Sequence, residues 1–174
     1  MAIRGDGVKL PILFILKGEL GGSIDMKELA TYTKGHFYTV QTNAWMDNVG
    51  WEFYVKDLLQ YEISEPSVIL LDNFDSHVSD EGVDLVARVT NSLVCPLPAN
   101  ATSVCQPLDV GVMGPLKSKL RALWLAEPKP AKTAAAKRRA MIMRTIAAWD
   151  EITEDTVAKS FEKALTIDGC EIQV

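Results

Sequence analysis

Two aspartates, Asp72 and Asp109, are the side chains whose surroundings best suit metal chemistry. Asp72 follows the apolar run Ser67-Val68-Ile69-Leu70-Leu71, which Pro66 bounds in front. Such a run predicts a buried central strand. The strand would deliver the carboxylate at its C-terminal end, the edge where open α/β sheets bind ligands and metals. A ligand held on a rigid element is what a metal site needs. Capping of the turn Asn73-Phe74-Asp75-Ser76 is the alternative. Strand-end aspartates also hold metals in phosphatase and receiver-domain folds, so Asp72 alone does not select a reaction. Asp109 lies between Gln106-Pro107-Leu108 and Val110-Gly111. Proline and glycine on either side indicate a defined backbone placement. Taken in isolation, its residue type fits a helix N-cap at least as well.

His77 follows Asp72 by five residues. It fits a structural, hydrogen-bonded histidine, or one that orients a phosphate or a carboxylate. His36 is less specific. Asp75 either assists Asp72 or caps the following turn. Cys95, Cys105 and Cys170 are odd in number and widely spaced, so they match neither a disulfide framework nor a zinc site. Their apolar neighbours predict core positions and a reducing compartment. The nucleophile elbow, the phosphate-binding glycine loop and the zinc-protease helix are absent.

The elements that must position these residues follow from periodicity. Gly5-Asp6-Gly7 is a turn signal, with Met1 to Arg4 and Lys9 to Lys17 as its hairpin strands. His36 to Thr42 alternates as a short strand. Trp51, Tyr54, Val55, Leu58 and Leu59 mark an amphipathic helix that Asp47 or Asn48 caps. Ser79 caps a helix facing inward with Val83, Val86 or Ala87, and Thr90. Leu93 to Leu97 is a strand and Pro98 to Pro107 a loop. Residues from Asp109 or Val110 to Ala126 form a helix with Met113, Leu116, Leu120 and Trp124 on one face. Pro128 and Pro130 end it. Two more helices run from Lys132 to Trp149, with Ile142, Ile146 and Trp149 inward, and from Thr153 to Leu165, with Val157, Phe161 and Leu165 inward. The alternation of strands and helices is a mixed α/β pattern.

The 174 residues are 48% hydrophobic and 24% charged, which suits one globular core and excludes disordered or low-complexity classes. The longest dense apolar run, Leu10 to Leu16, is far too short to cross a membrane. No secretory signal precedes Asn100-Ala101-Thr102, so that glycosylation sequon reads as coincidence. The net charge of −5 conceals an asymmetry. Lys117 to Arg144 holds nine basic residues (Lys117, Lys119, Arg121, Lys129, Lys132, Lys137, Arg138, Arg139 and Arg144) against Glu127, a block of +8 on a remainder of −13. That split suits a polyanion-facing segment on an acidic body, or a solvated helix face.

Three segments in order carry a family resemblance: Leu70-Leu71-Asp72-Asn73-Phe74-Asp75-Ser76-His77, Leu97-Pro98-Ala99-Asn100-Ala101-Thr102-Ser103, and Gln106-Pro107-Leu108-Asp109-Val110-Gly111-Val112-Met113-Gly114-Pro115-Leu116-Lys117. Together they resemble the DDE endonuclease domain of pogo, Tigger and jerky-type transposases, to which centromere-binding protein B is related. Asp6-Gly7-Val8-Lys9-Leu10-Pro11 with Lys17-Gly18, Asn43-Ala44-Trp45-Met46, and Ala148-Trp149-Asp150 before the Phe161 helix extend the likeness over nearly the whole chain.

The resemblance implies an RNase H-like mixed sheet flanked by helices over residues 1–127, with a C-terminal helical extension over 128–174. It implies a site of three carboxylates for two Mg2+ or Mn2+ ions, which cleaves DNA and transfers strands. Asp72 takes the place of the second acid and Asp109 that of the third, 37 positions apart. The first acid belongs to a strand that would precede Met1, so the expectation is a partial domain, lacking its first strand and nearly inactive alone. Lys117, Lys119, Arg121, Lys132, Lys137, Arg138, Arg139 and Arg144 are the expected DNA contacts. A nuclear location goes with the resemblance, and a homodimer is an option. The competing readings are a non-catalytic DNA or chromatin binder using that basic segment, and a phosphatase-like domain built on Asp72.

Overall fold

Parallel pairing builds two of the three small sheets of the computed structural model, which describes residues 1–127, 131–167 and 170–171, with side chains as far as Leu165; the third is the short antiparallel pair Thr166–Ile167 and Cys170–Glu171. The chain divides into two compact units, Leu13–Thr102 and Met1–Ile12 with Ser103–Val174.

In the Leu13–Thr102 unit, β1 (Leu13–Lys17) leads through α1 (Ser23–Lys27) to β2 (Phe37–Gln41), its parallel partner. Next comes α2 (Asn48–Tyr54), which the Asp47 carboxylate caps by accepting from Gly50 N at 2.8 Å. It runs on through a widened π-type turn, Val55–Leu59, into α3 (Gln60–Glu62). Trp51, Tyr54, Val55, Leu58 and Leu59 are all buried, as their helical spacing requires. β3 (Val68–Leu71) then crosses through α4 (Asp75–Val78) and α5 (Asp80–Thr90) to its parallel partner β4 (Leu93–Pro96). Ser79 caps α5 by accepting from Gly82 N, and Val86 is wholly buried. The expected loop after β4 contains a short helix, α6 (Thr102–Cys105).

The α/β class holds, with two differences. Among the described residues the strands join two by two, β1 with β2 and β3 with β4, rather than in one mixed sheet. The Ser67–Leu71 strand is therefore not central. Val68 is half exposed and only Leu71 is buried, because a two-stranded ladder leaves one edge uncovered. Cys95 is exposed and Cys105 half-buried, so neither is a core thiol; the Cys170 side chain lies outside the described residues.

In the other unit, Gly5-Asp6-Gly7 makes the expected turn, with Gly7 at φ 94°. The hairpin shrinks to one antiparallel bridge, Ile3 with Lys9, and the strand it was to feed starts only at Leu13. Three helices follow. A π-type turn, Leu108–Val112, opens α7 (Met113–Ala126), which packs on α8 (Ala134–Asp150). Thr133 caps α8 and Thr153 caps α9 (Glu154–Leu165), each hydroxyl accepting a backbone N–H. The Lys9 ammonium donates to the Trp149 and Asp150 carbonyls at the end of α8, and Trp149 Nε1 donates to Leu10 O at 3.3 Å. The chain start is thereby tied to α8.

The inward faces of α7 and α9 differ from expectation. Leu116 is buried, but Trp124 is 61% exposed. The whole last turn of α7 projects past its cover, since Leu125 and Ala126 are exposed too. On α9 the buried residues are Val157, Ser160 and Ala164, while Phe161 and Leu165 are half-buried. Gly111 is the cause: a methyl group there would come within 2.5 Å of Ser160 Cβ. So close an approach admits only small residues, which rotates the inward face by one position. The expected break at Pro128 and Pro130, and Lys129 with it, fall outside the described residues.

Candidate active site

Asp72 sits one residue beyond β3, where the expected geometry puts it. Crossover from β3 to β4 begins there, at the C-terminal edge that α/β topology reserves for ligands. Its side chain is 35% exposed, half in the protein and half within reach of solvent. Oδ1 lies 2.5 Å from His77 Nδ1. A carboxylate only accepts, so Nδ1 carries the proton of this bond. His77 is thus hydrogen-bonded to a carboxylate, a contact that suits either role open to it from sequence.

The His77 ring is itself fixed by aromatic neighbours. Its centroid lies 4.1 Å from that of Trp51 and 5.2 Å from that of Phe74. Trp51 comes from the buried face of α2, Phe74 from the loop that carries Asp72. His77 Nε2 is buried with no hydrogen-bond partner among the described residues. Its single polar tie is therefore to Asp72. Asp75 is exposed in the first turn of α4, where a negative charge suits the helix dipole. His36 stands apart from this array, edge-on to Phe14 at 6.1 Å.

Asp109 is exposed in the first turn of the segment Leu108–Val112. It is not the N-cap: Pro107 holds that position. The helix starts one residue before the Asp, so the capping alternative lapses and a solvent-facing carboxylate remains. Asp72 belongs to the Leu13–Thr102 unit and Asp109 to the other.

Carboxylate oxygens are the donors that Mg2+ and Mn2+ take, so the type of donor at Asp72 and Asp109 fits such an ion. The number of donors is not met locally. Among the described residues no three His, Cys, Asp or Glu side chains stand close enough to share one ion.

The basic segment lies wholly in the unit containing α7 and α8. That unit carries thirteen basic and ten acidic residues, +3, whereas the Leu13–Thr102 unit carries five and thirteen, −8. Lys119 bonds Glu151 at 2.9 Å, and Arg144 bonds Glu127 at 3.0 and 2.6 Å. Those two cations are thereby partly neutralised. Lys117, Arg121, Lys132 and Lys137 are exposed and meet no acid among the described residues. Arg138 and Arg139 stand beside them on α8.

Spacing did not single out the aromatic layer Trp45, Phe74, His77 and Trp51, because its rings come from three separate segments. The one signal was Asn43-Ala44-Trp45-Met46, which entered only through resemblance. No curated protein and no solved structure matches the chain. The family model described as DDE superfamily endonuclease does match, over residues 1–161. That span holds the strand-end aspartate, its histidine and Asp109 alike, and the chain belongs to the DDE superfamily endonuclease family.

Proposed function

We propose that this chain is a transposase-derived DNA-processing domain of pogo, Tigger or jerky type, with an RNase H-like arrangement, in which Asp72 and Asp109 are metal-holding carboxylates. The observation that carries this reading is Asp72 at the crossover end of β3, fixed by His77 and still open to solvent. A divalent ion bound there, Mg2+ or Mn2+, would activate the attacking hydroxyl and stabilise the leaving oxygen of a phosphodiester. The chain's own part is to hold one carboxylate oxygen against His77 and leave the rest of the group within reach of solvent. Two carboxylates bring one negative charge fewer than the three that the resemblance implies, so metal affinity and cutting by these 174 residues are low. A nuclear location and a homodimer go with this reading.

The test is a nicking assay on supercoiled plasmid in Mn2+, with Mn2+ binding followed by electron paramagnetic resonance. Weak Mn2+ binding that falls at least fivefold in Asp72→Asn and in Asp109→Asn is expected. Binding unchanged by either substitution refutes the assignment. Robust cutting that Asp72→Asn abolishes refutes only the low activity.

The charge division favours a second reading, a DNA or chromatin binder that works through the basic segment. Lys117, Arg121, Lys132 and Lys137 are then the first phosphate contacts, and Arg138 and Arg139 extend them. Neutralising all six should reduce the salt slope of DNA binding by several units. An unchanged slope excludes this reading.

A further inference from the structure

Trp45 is the most conspicuous unexplained feature near Asp72. It remains 65% exposed, although an indole is among the most favourable groups to bury. Its ring is nonetheless not loose. Phe74 lies nearly parallel to it, 8° apart with centroids at 6.4 Å. Phe74 stands two residues after Asp72, and its ring also touches that of His77. An exposed aromatic plate is thereby joined to the candidate catalytic carboxylate through two rings and one hydrogen bond.

The backbone under Trp45 is built to present it. Gln41, the last residue of β2, accepts from Asn43 N at 2.6 Å and from Trp45 N at 3.3 Å through one side-chain oxygen. Ala44 N donates to Gln41 O at 3.0 Å. Ala44 itself takes a left-handed conformation, φ 58°, which is costly for a residue other than glycine. A cavity of about 190 Å³ lies beside the indole, with Thr39 and Gln41 of β2 and Thr42 just after it among its lining. Its charged lining residues are Glu19 and Asp47, so it does not attract phosphate.

We infer that Trp45, backed by Phe74, is a stacking platform for one unpaired nucleobase of the DNA handled at Asp72. The inference rests on the DNA-processing reading above. A base is uncharged and has a π-face whatever its identity, so the acidic surroundings do not repel it and no sequence preference arises. Held in a turn that is already ordered, the indole loses little freedom on binding. Stacking keeps a base out of the duplex next to the carboxylate, which opens the backbone there to attack.

The experiment uses the whole 174-residue chain in EDTA and a single-stranded 12-mer with a central 2-aminopurine. Fluorescence reports stacking and anisotropy reports affinity. The wild type should bind and quench the probe. Trp45→Ala should lose the quenching and weaken binding by about fivefold to a hundredfold. Trp45→Phe should retain most of both. Trp124→Ala, which removes the exposed indole of α7, should alter neither. Should Trp45→Ala lower the melting temperature, Trp45→Leu keeps apolar bulk without a π-face and must still lose the quenching. Binding and quenching that survive in Trp45→Ala overturn the platform and leave the DNA reading standing. A wild type that binds no oligonucleotide at any salt concentration overturns both.

Discussion

Removing the His77 ring should cost about 2 kcal/mol of stability, and the parts of that figure can be separated. The bond from Nδ1 to the Asp72 carboxylate, 2.5 Å, is charge-assisted and of the kind worth about 1.5–3 kcal/mol. Ring contacts with Trp51 and Phe74 add about 0.5–1.5 kcal/mol each. Two effects work against these. Asp72 is 35% exposed, so water replaces part of the lost bond. The buried, unpartnered Nε2 disappears as well, which returns about 1–2 kcal/mol. For His77→Ala the balance shifts a urea midpoint down by roughly 1 M at a slope of 1–3 kcal/mol per M. His77→Asn keeps a donor near the Nδ1 position, and His77→Phe keeps the rings and drops both nitrogens. Each should cost about half as much as alanine. The sharper measurement is a double-mutant cycle with Asp72→Ala, with an expected coupling of about 1–2 kcal/mol. A coupling under about 0.3 kcal/mol would refute the reasoning, because His77 and Asp72 would then contribute independently.

Two further outcomes follow from groups around the sites. The Tyr54 hydroxyl is buried with no partner among the described residues, so Tyr54→Phe should stabilise the chain by about 1 kcal/mol at pH 7 in urea titrations. Burial also raises the Tyr54 pKa well above the usual 10, so the folded state keeps a proton that the unfolded chain loses. Its contribution is present in full below pH 10 and is lost as pH rises beyond it, hence the advantage of Tyr54→Phe should widen between pH 10 and 11. Gly111→Ala drives a methyl group against Ser160 and should cost about 1–3 kcal/mol by thermal melting, with partial recovery in Gly111→Ala/Ser160→Gly. A Gly111→Ala chain as stable as the wild type would contradict the close approach beside Asp109.

What was legible in the sequence was local. Asp47, Ser79 and Thr153 each cap the helix that their type and place indicate, because a cap depends on the next three residues. Asp72 was found because an apolar run stops at it, and a strand hands on its C-terminal neighbour in a known direction. The departures all come from partners distant in sequence. On α9 the inward face is 157-160-164 instead of 157-161-165, set by a glycine 49 residues before Ser160. The last turn of α7 runs beyond its cover, so the periodicity that places Trp124 on the Leu116 face does not bury it.

The charge asymmetry sharpens in the same way. A +8 segment in the linear sequence becomes a +3 unit, because the unit adds nine further acids, Glu151 among them, and only four further cations. Asp72 sits instead in the −8 unit. Phosphate is therefore attracted to one unit while the strand-end carboxylate stands in the other, among charges that repel phosphate. A divalent cation resolves that conflict, since it adds positive charge to the acidic unit. So does an uncharged hold on the base, which the Trp45 plate offers. The acidic surroundings of Asp72 thus belong to the DNA-processing reading, provided that metal and stacking, not lysine and arginine, do the binding at that end of the chain.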